Sequence, residues 1–479
     1  MTIDSVRQFL SAGRRLGFVR AVSRLRRDRR GNFTILFALT VPLLVILVGM
    51  GVDFSIALSD KSRLDLAADA AALAAVNTAK SWYAANSGSG LSESALESGA
   101  ESAGQTQGQA VFNANVGSTV LASGPTLTLP TLKYSTVTMT FTASASWTAQ
   151  VTAHFGPLVG ISTFNISGNA QAQAGLPKYL DFYVVVDTSG SMGIPTSATD
   201  QETLIANNPD NAQEEANGYA GGCQFACHFP GYQGFVYTQE NNIQIPLKLN
   251  SVNSAVKALL STATATKVIA NQFRIGIYPF IVDPIQAAAL SSDFTSTGVG
   301  SVTYAANNLA NDLDAGGETN GVINQGMGSG GTHFENLWSG MSPYLQTPGT
   351  GTSSSSTQPY IILVTDGVDN SQTYTPSTYS WSGGSQPQVP SLAFCTSAKA
   401  AGYTVAVLLI PYDPIVDPET IWNDEDGVVN SLISTNSITP AMQSCASNGY
   451  FFSAATSADI TSAMQTIFYQ AVQAARLTQ

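Results

Sequence analysis

The chain has 479 residues, 44% of them hydrophobic and 11% charged, and carries a net charge of −12. That is enough for one large domain or two to three ordinary ones with an ample core. An acidic body excludes a nucleic-acid-binding face, which has to be basic, so no nucleic acid is expected among the partners.

The positive charge is gathered at the start. Arg7, Arg14, Arg15, Arg20, Arg24, Arg26, Arg27, Arg29 and Arg30 stand there against Asp4 and Asp28. Next comes FTILFALTVPLLVILVGMGV, residues 33–52, with no charge between Arg30 and Asp53. A helix of this length measures about 30 Å, the thickness of a hydrocarbon core, and Pro42 is tolerable in it. The positive-inside rule then predicts a basic cytoplasmic segment (1-31), a single-pass transmembrane helix (32-58) and an exported remainder, periplasmic or extracellular. A cleaved signal peptide is the alternative, with a weak small-residue site near residues 55–57, and it exports the same body. A buried soluble helix suits the flanking arginines poorly.

Residues 62–80, SRLDLAADAAALAAVNTAK, are Ala- and Leu-rich with acids near the start, which predicts a continuing helix. It reads as a stalk or as a subunit-packing helix, because small residues allow close approach. Residues 85–110 are Ser-, Gly- and Gln-rich and read as a linker or loose helix, so 59-115 is taken as Ala-rich helix and linker. From there TLTLPTLKYSTVTMTFTASASWTAQVTAHF and ISTFNISGNAQAQA alternate in the strand manner, giving a small β-rich region at 116-178.

From Tyr179 the pattern becomes α/β. LDFYVVV is an apolar run suited to a strand buried on both faces. A polar insertion (193-245) follows, then helix LKLNSVNSAVKALLSTATATKVIA and strand FRIGIYPFIV. Helical residues recur around THFENLWSGMSPYL, before a Gly/Ser-rich linker, TPGTGTSSSSTQ. Strand YIILVTDG, helix LAFCTSAKAAG, strand YTVAVLLI, a short YFFSA strand and a last helix near DITSAMQTIFYQAVQAA complete the chain. Such alternation predicts a doubly wound, mostly parallel sheet with helices on both faces over 179-479.

Ligands of open parallel sheets bind at the carboxyl ends of strands. In YVVVDTSGSM, Asp187, Ser189 and Ser191 stand at such an end, with Gly190 between the serines. Asp366 follows a second apolar run, and Thr332 sits in the loop Gly330-Gly331-Thr332. All five offer oxygen, which suits a hard divalent cation, Mg²⁺ or Mn²⁺. Each also has a plainer use: Asp, Ser and Thr cap helices, and Asp366-Gly367 makes a turn. A degenerate, metal-free site is a further reading.

The cysteines are Cys223, Cys227, Cys395 and Cys445. An even count in an exported chain suggests disulfides, read here as Cys223–Cys227 and Cys395–Cys445. Cys223-Gln-Phe-Ala-Cys227-His228 also admits metal, haem or free-thiol readings, but its spacing is one residue too long for haem attachment. No enzyme is expected: His333 is the one base near a hydroxyl, and no G-x-S-x-G elbow accompanies it. The acidic loop Asp424-Glu425-Asp426-Gly427 lacks EF-hand spacing and reads as solvated surface.

DTSGSM, then GGT, then TDG, in this order, resemble the metal-ion-dependent adhesion site of von Willebrand factor type A domains. The resemblance implies metal ligation by Asp187, Ser189, Ser191, Thr332 and Asp366, with an open position for the Asp or Glu of a protein partner. RRGNFTILFALTVPLL, GVDFSIALSDKSRLDLAADAAALAAV, CQFACHFPG, FRIGIYPF and CASNGYFFSA resemble the TadG-like proteins of the tight-adherence (Flp-type) pilus apparatus. That implies an inner-membrane protein serving pilus assembly, anchoring or surface adherence, with a pilus-machinery or surface protein as partner. The alternative is a scaffold subunit whose metal site is incidental. The related pseudopilins carry Glu five residues after a Gly at the cleavage site. After Gly31 that position is Leu36, so prepilin-peptidase processing is not expected.

Overall fold

The computed structural model describes residues 31–116, 123–207, 245, 247–309, 316–319, 322–325, 331–375, 380–415 and 426–477. The arginine-rich start, Cys223, Cys227, most of the insertion 193-245, Asp424 and Glu425 lie outside the described residues. The chain divides into two compact units. The first comprises Met1–Trp82, Glu97–Tyr134 and Phe141–Ala174, and the second the remainder.

In the first unit, Gly31–Asn86 form one continuous helix, α1. The apolar and Ala-rich stretches are therefore a single rod: Ala and Leu have the best helix propensity, and Pro42 is its one internal proline. Phe33, Ile35, Leu36, Leu39, Leu43, Leu44 and Leu47 all face outward. Among the described residues this is the one helix long and apolar enough to cross a membrane, and 6% of its apolar window is buried. An amphipathic core helix would bury its apolar face.

From Gly49 onward one stripe turns inward. Asp53, Ala57, Asp60, Leu64, Ala68, Ala71, Ala75 and Ala79 are buried, at the three- and four-residue spacing of one helix face. The packing partners are helix α2 (Glu93–Val116) and a three-stranded sheet in the order β1 (Ser123–Ser135), β2 (Thr140–Thr152), β3 (Thr163–Gly175). In β2, Phe141, Ala143, Ala145, Trp147, Ala149 and Val151 are buried on alternate positions, the period of a half-buried strand. A Cβ on Gly104 of α2 would lie 2.5 Å from both the Ala75 carbonyl oxygen and the Leu132 side chain. The Ala stripe is thus consumed inside its own unit rather than left bare as a stalk. Two polar ties fix the register: Trp147 Nε1 donates to Asp65 at 3.2 Å, and Asp53 accepts from the N–H groups of His154, Phe155 and Gly156 at 2.8–2.9 Å. Residues 93–116, read as linker or loose helix, form an ordered helix because Leu96, Ala100 and Phe112 have a core to enter.

The second unit is built on a six-stranded sheet. Its strands are β4 (Leu180–Asp187), β5 (Phe273–Phe280), β6 (Ala288–Ser291), β9 (Gln358–Thr365), β12 (Thr404–Leu409) and β13 (Phe451–Ser453). Two small antiparallel pairs stand apart, β7 (Gly316–Thr319) with β8 (Val322–Gln325) and β10 (Thr373–Thr375) with β11 (Ser380–Ser382). The sheet order is β13-β12-β9-β4-β5-β6. All neighbours are parallel except β5 and β6. The helices in chain order are α3 (Ala198–Asn207), α4 (Lys248–Thr266), α5 (Val302–Asn307), α6 (Leu337–Met341), α7 (Ala393–Ala400), α8 (Asp426–Ser434), α9 (Ile438–Cys445) and α10 (Ser457–Leu477).

Every residue of β4 is buried. Phe182, Val184 and Val186 join one core with α4, α5 and α10, while Tyr183 and Val185 join a second with α6, α7, α8 and α9. Helices therefore cover both faces, the doubly wound arrangement predicted. At the opposite end from the carboxyl edge, Arg274 donates to both oxygens of buried Asp181 at 2.6 and 2.7 Å. Residues 347–358, read as a linker, instead form a turn tied to the start of β4. Tyr179 N–H donates to the Gly351 carbonyl at 2.9 Å, and Gln358 N–H to the Tyr179 carbonyl. Gly351 has φ +79°, a value open to glycine at no steric cost.

Candidate metal centre

From β4 the chain crosses to β5 on one side, and from β9 to β12 on the other. The two connections leave in opposite directions, so the carboxyl ends of β4 and β9 flank the switch point where doubly wound folds bind ligands. Asp187 is the last residue of β4, and Asp366 follows the last residue of β9.

The turn after β4 folds back on Asp187. Its Oδ1 accepts from Ser189 N–H at 3.0 Å and from Ser189 Oγ at 2.6 Å. Ser189 and Ser191 hydroxyls lie 3.1 Å apart, because residues Gly190–Gly193 wind into one 3₁₀ turn. Asp187 Oδ2 accepts from the hydroxyl of Thr365 at 2.7 Å. That Thr365 Oγ1 also accepts from Gly367 N–H at 2.9 Å. Gly367 takes φ +83°, and a Cβ there would press on Ile438 at 2.7 Å.

Thr332 reaches the same rim by backbone pairing. It forms a β-bridge with Asn370, three positions past the Asp366-Gly367 turn, and His333 N–H donates to the Ile281 carbonyl just after β5. Asp187, Ser189, Ser191, Thr332 and Asp366 are all buried.

Three neighbours were not among the predicted site residues. Lys248, at the start of α4, donates to Asp366 Oδ2 at 3.1 Å, and both side chains are at most 1% exposed. Its ammonium stands 3.7 Å from the centroid of the Tyr412 ring, a cation–π distance. Tyr412, in the loop after β12, is buried beside Ser191 and Asp366. Thr365 is the third: it opens the TDG stretch, where only the Asp beside it was read as a site residue.

Burial holds the Asp187 carboxyl above the usual carboxylate range, and the negative charge of Asp366 pushes in the same direction. Burial and the Asp366 charge also raise the Tyr412 hydroxyl. Asp366 Oδ1 is buried and has no hydrogen-bond partner. An orphaned carboxylate oxygen beside two serine hydroxyls is a donor set that fits a hard cation. Among the described residues no cluster of three or more His, Cys, Asp or Glu has metal-holding geometry, so any cation here relies on hydroxyls as well as the two carboxylates.

A separate acidic group lies beyond the Thr332 bridge. His333 Nδ1 pairs with Glu335 at 2.8 Å. The Asp369 carboxyl is pushed up to about 6 by burial and then by the Glu335 charge, with the Gln388 amide pulling it back. The fold favours its protonated form, so this contribution is fully present below about pH 4 and disappears as pH rises through about 6. The natural chain is expected to lose stability relative to Asp369→Asn across that window. Urea midpoints at pH 4, 5, 6 and 7 measure it, and parallel curves for the two proteins would refute the assignment. Asp187 titrates in the same sense, so the variant removes only part of the slope.

Cys395 of α7 and Cys445 of α9 form a disulfide, with Cα atoms 5.1 Å apart. The predicted Cys223–Cys227 pair falls outside the described residues.

Residues 31–80 match the Flp pilus-assembly TadE/G-like family. No curated protein matches the chain. Among solved structures it is similar to the pilus adhesin SpaC from Lactobacillus rhamnosus GG, at 14% identity and TM-score 0.33, covering 69% of this chain and 33% of that one. The von Willebrand factor domain of the type V pili tip protein Mfa5 from Porphyromonas gingivalis shares 12% identity at TM-score 0.30, over 62% of this chain and 97% of that one. Proximal thread matrix protein 1 from the mussel byssus, in a form with a zinc-occupied metal-ion-dependent adhesion motif, shares 10% identity at TM-score 0.29, over 62% and 46%. The chain thus spans about a third of SpaC and under half of the mussel protein.

Proposed function

We propose that this chain, whose residues 31–80 are a TadE/G-like pilus-assembly segment, is a membrane-anchored, exported module that binds a protein partner through a divalent cation. Its place would be pilus assembly, anchoring or adherence. The observation that carries the reading is the meeting of Asp187 and Asp366 at the switch point, with Ser189 and Ser191 beside them and one Asp366 oxygen unpartnered. Asp187, Ser189, Ser191, Thr332 and Asp366 would hold Mg²⁺ or Mn²⁺. The cation would supply positive charge for an Asp or Glu of the partner. The α1 helix would anchor the chain in the inner membrane, with its start in the cytoplasm. The reading is one of binding, not catalysis.

Lys248 favours a second reading. Its ammonium already compensates Asp366, so the fold has a resident positive charge without metal and could serve as a scaffold subunit whose cation site is incidental.

Thermal unfolding of the detergent-solubilised chain in EDTA, Mg²⁺ or Mn²⁺ tests the proposal. At ten times the dissociation constant a native-state ligand adds about 1.4 kcal/mol, or roughly 2 °C for a unit of this size. The rise is expected in the natural chain and should vanish in Asp187→Ala. Equal shifts in both proteins, or none at millimolar metal, would leave the scaffold reading ahead.

A further inference from the structure

The turn between β2 and β3 lies beside the apolar end of α1. Asp53 receives the N–H groups of residues 154–156, and one helical turn nearer the apolar end a side chain at Gly49 would run into the Phe155 ring. The backbone of the turn is thus held at Asp53 while the Phe155 ring reaches the level of Gly49, inside the uncharged run of residues 33–52. At 1.5 Å per residue, Gly49 sits about 6 Å along the axis beyond Asp53. The turn then reverses: residues Gly156–Val159 make a 3₁₀ turn, Gly160 takes φ +86°, and Ile161 N–H returns to the Gly156 carbonyl at 2.9 Å.

What this turn shows to its surroundings is apolar. Leu158 is 65% exposed and Val159 46%, with Phe155 and Ile161 at 36% each, and residues 155–163 (FGPLVGIST) carry no charge. Leu158 and Val159, displayed side by side on one tight turn, form an exposed apolar patch of the kind that marks an interaction surface. Phe155 lies on α1 at Gly49, next to the outward-facing Leu47 and Val48, so the apolar turn adjoins the apolar surface of the helix.

We infer that residues 155–161 are a second membrane contact: a foot that inserts Leu158 and Val159 into the lipid interface beside the helix, on the side where the helix leaves the bilayer. The inference rests on the anchor reading of α1. Its physical effect is orientation. One helix alone leaves the attached sheet free to tilt and spin, whereas a foot bound to the same surface gives the first unit two points of attachment. Apolar side chains reaching about 5–10 Å into the headgroup boundary are the usual interfacial depth.

The test is depth-dependent quenching in the full chain, reconstituted into phosphatidylethanolamine/phosphatidylglycerol vesicles on a Cys223→Ser/Cys227→Ser background. A nitrobenzoxadiazole label is placed in turn at Leu158→Cys, at Leu47→Cys within the span, and at Asn169→Cys, an exposed site of β3. Nitroxide-bearing lipids are expected to quench Leu158→Cys as strongly as Leu47→Cys, and aqueous iodide to quench only Asn169→Cys. If Leu47→Cys is quenched from the lipid and Leu158→Cys only by iodide, the foot is refuted and the anchor stands. If neither responds to lipid nitroxide, both ideas fail. Val159→Cys repeats the measurement should the Leu158 variant not fold.

Discussion

Lys248→Met is expected to lower the stability of the metal-free second unit by about 3–5 kcal/mol, the usual cost of breaking a buried ion pair from one side. The reason is geometric. The Lys248 ammonium lies 3.1 Å from Asp366 Oδ2 and 3.7 Å from the Tyr412 ring centroid, with at most 1% of either charged side chain in contact with solvent. Water has little room to take its place, because Lys248 and Asp366 are both buried. With Met at position 248, two buried carboxylates share the site with no resident cation. Either one takes up a proton or the site opens, and both cost stability. A divalent cation should then restore what was lost. Titration calorimetry should show Mn²⁺ binding the variant at least about tenfold more tightly than the natural chain. The warrant is competition: affinity falls in proportion to the fraction of molecules in which the binding state is available, and the lysine holds that fraction low. Urea unfolding in EDTA and in Mn²⁺ separates the parts. Equal midpoints in EDTA would mean that Lys248 contributes nothing. An EDTA loss with no Mn²⁺ rescue would mean that it is purely structural and that the scaffold reading is right.

Removing the Cys395–Cys445 bridge is expected to be nearly as costly. It closes a loop of 50 residues, worth about 4 kcal/mol in the chain-entropy model. Both cysteines are buried in the core shared by α7, α8 and α9, so the bridge also sets how α9 meets the sheet. Ile438 and Met442 of α9 pack on the Gly367 turn that follows Asp366. Loosening α9 should therefore disturb the candidate metal centre as well as global stability. The double variant Cys395→Ala/Cys445→Ala, compared with Cys223→Ser/Cys227→Ser, should show a urea midpoint lowered by an amount equivalent to roughly 3–5 kcal/mol. It should also weaken Mn²⁺ binding. An unchanged midpoint would show that helix packing alone fixes α9.

The periodicities were strong enough to read without coordinates. An uninterrupted apolar run such as FYVVV or YIILV has no stable alternative to a two-faced buried strand, so the doubly wound sheet was legible. The apolar run at residues 33–52 also declared itself, since a helix with apolar side chains on every face needs a matching surround. Asp187 and Asp366 were legible because a carboxylate directly after an apolar strand marks the carboxyl edge of the sheet. Elsewhere local composition misled. The Ser/Gly-rich residues 347–358 read as a linker, yet their backbone groups pair with the start of β4. Residues 85–110 read as a linker or loose helix, yet packing outweighs weak intrinsic propensity once Leu96 and Phe112 of α2 are buried. The Ala stripe of α1 read as a stalk or subunit contact, because only the folded unit shows β2 and α2 lying on it.

What the sequence by itself determined, then, is the α/β class, the apolar helix and the carboxylates that end two strands, all of which are set by near neighbours in the chain. What only the tertiary structure decided is which distant groups meet. Lys248 reaches Asp366 across 118 positions, and Asp53 takes the N–H groups of a turn more than a hundred positions away. A lysine at a helix start and an aspartate after an apolar run look like ordinary solvated charges until folding removes the water around them. Burial turns each into a group that must have a partner, and nothing in the local sequence records which partner that will be.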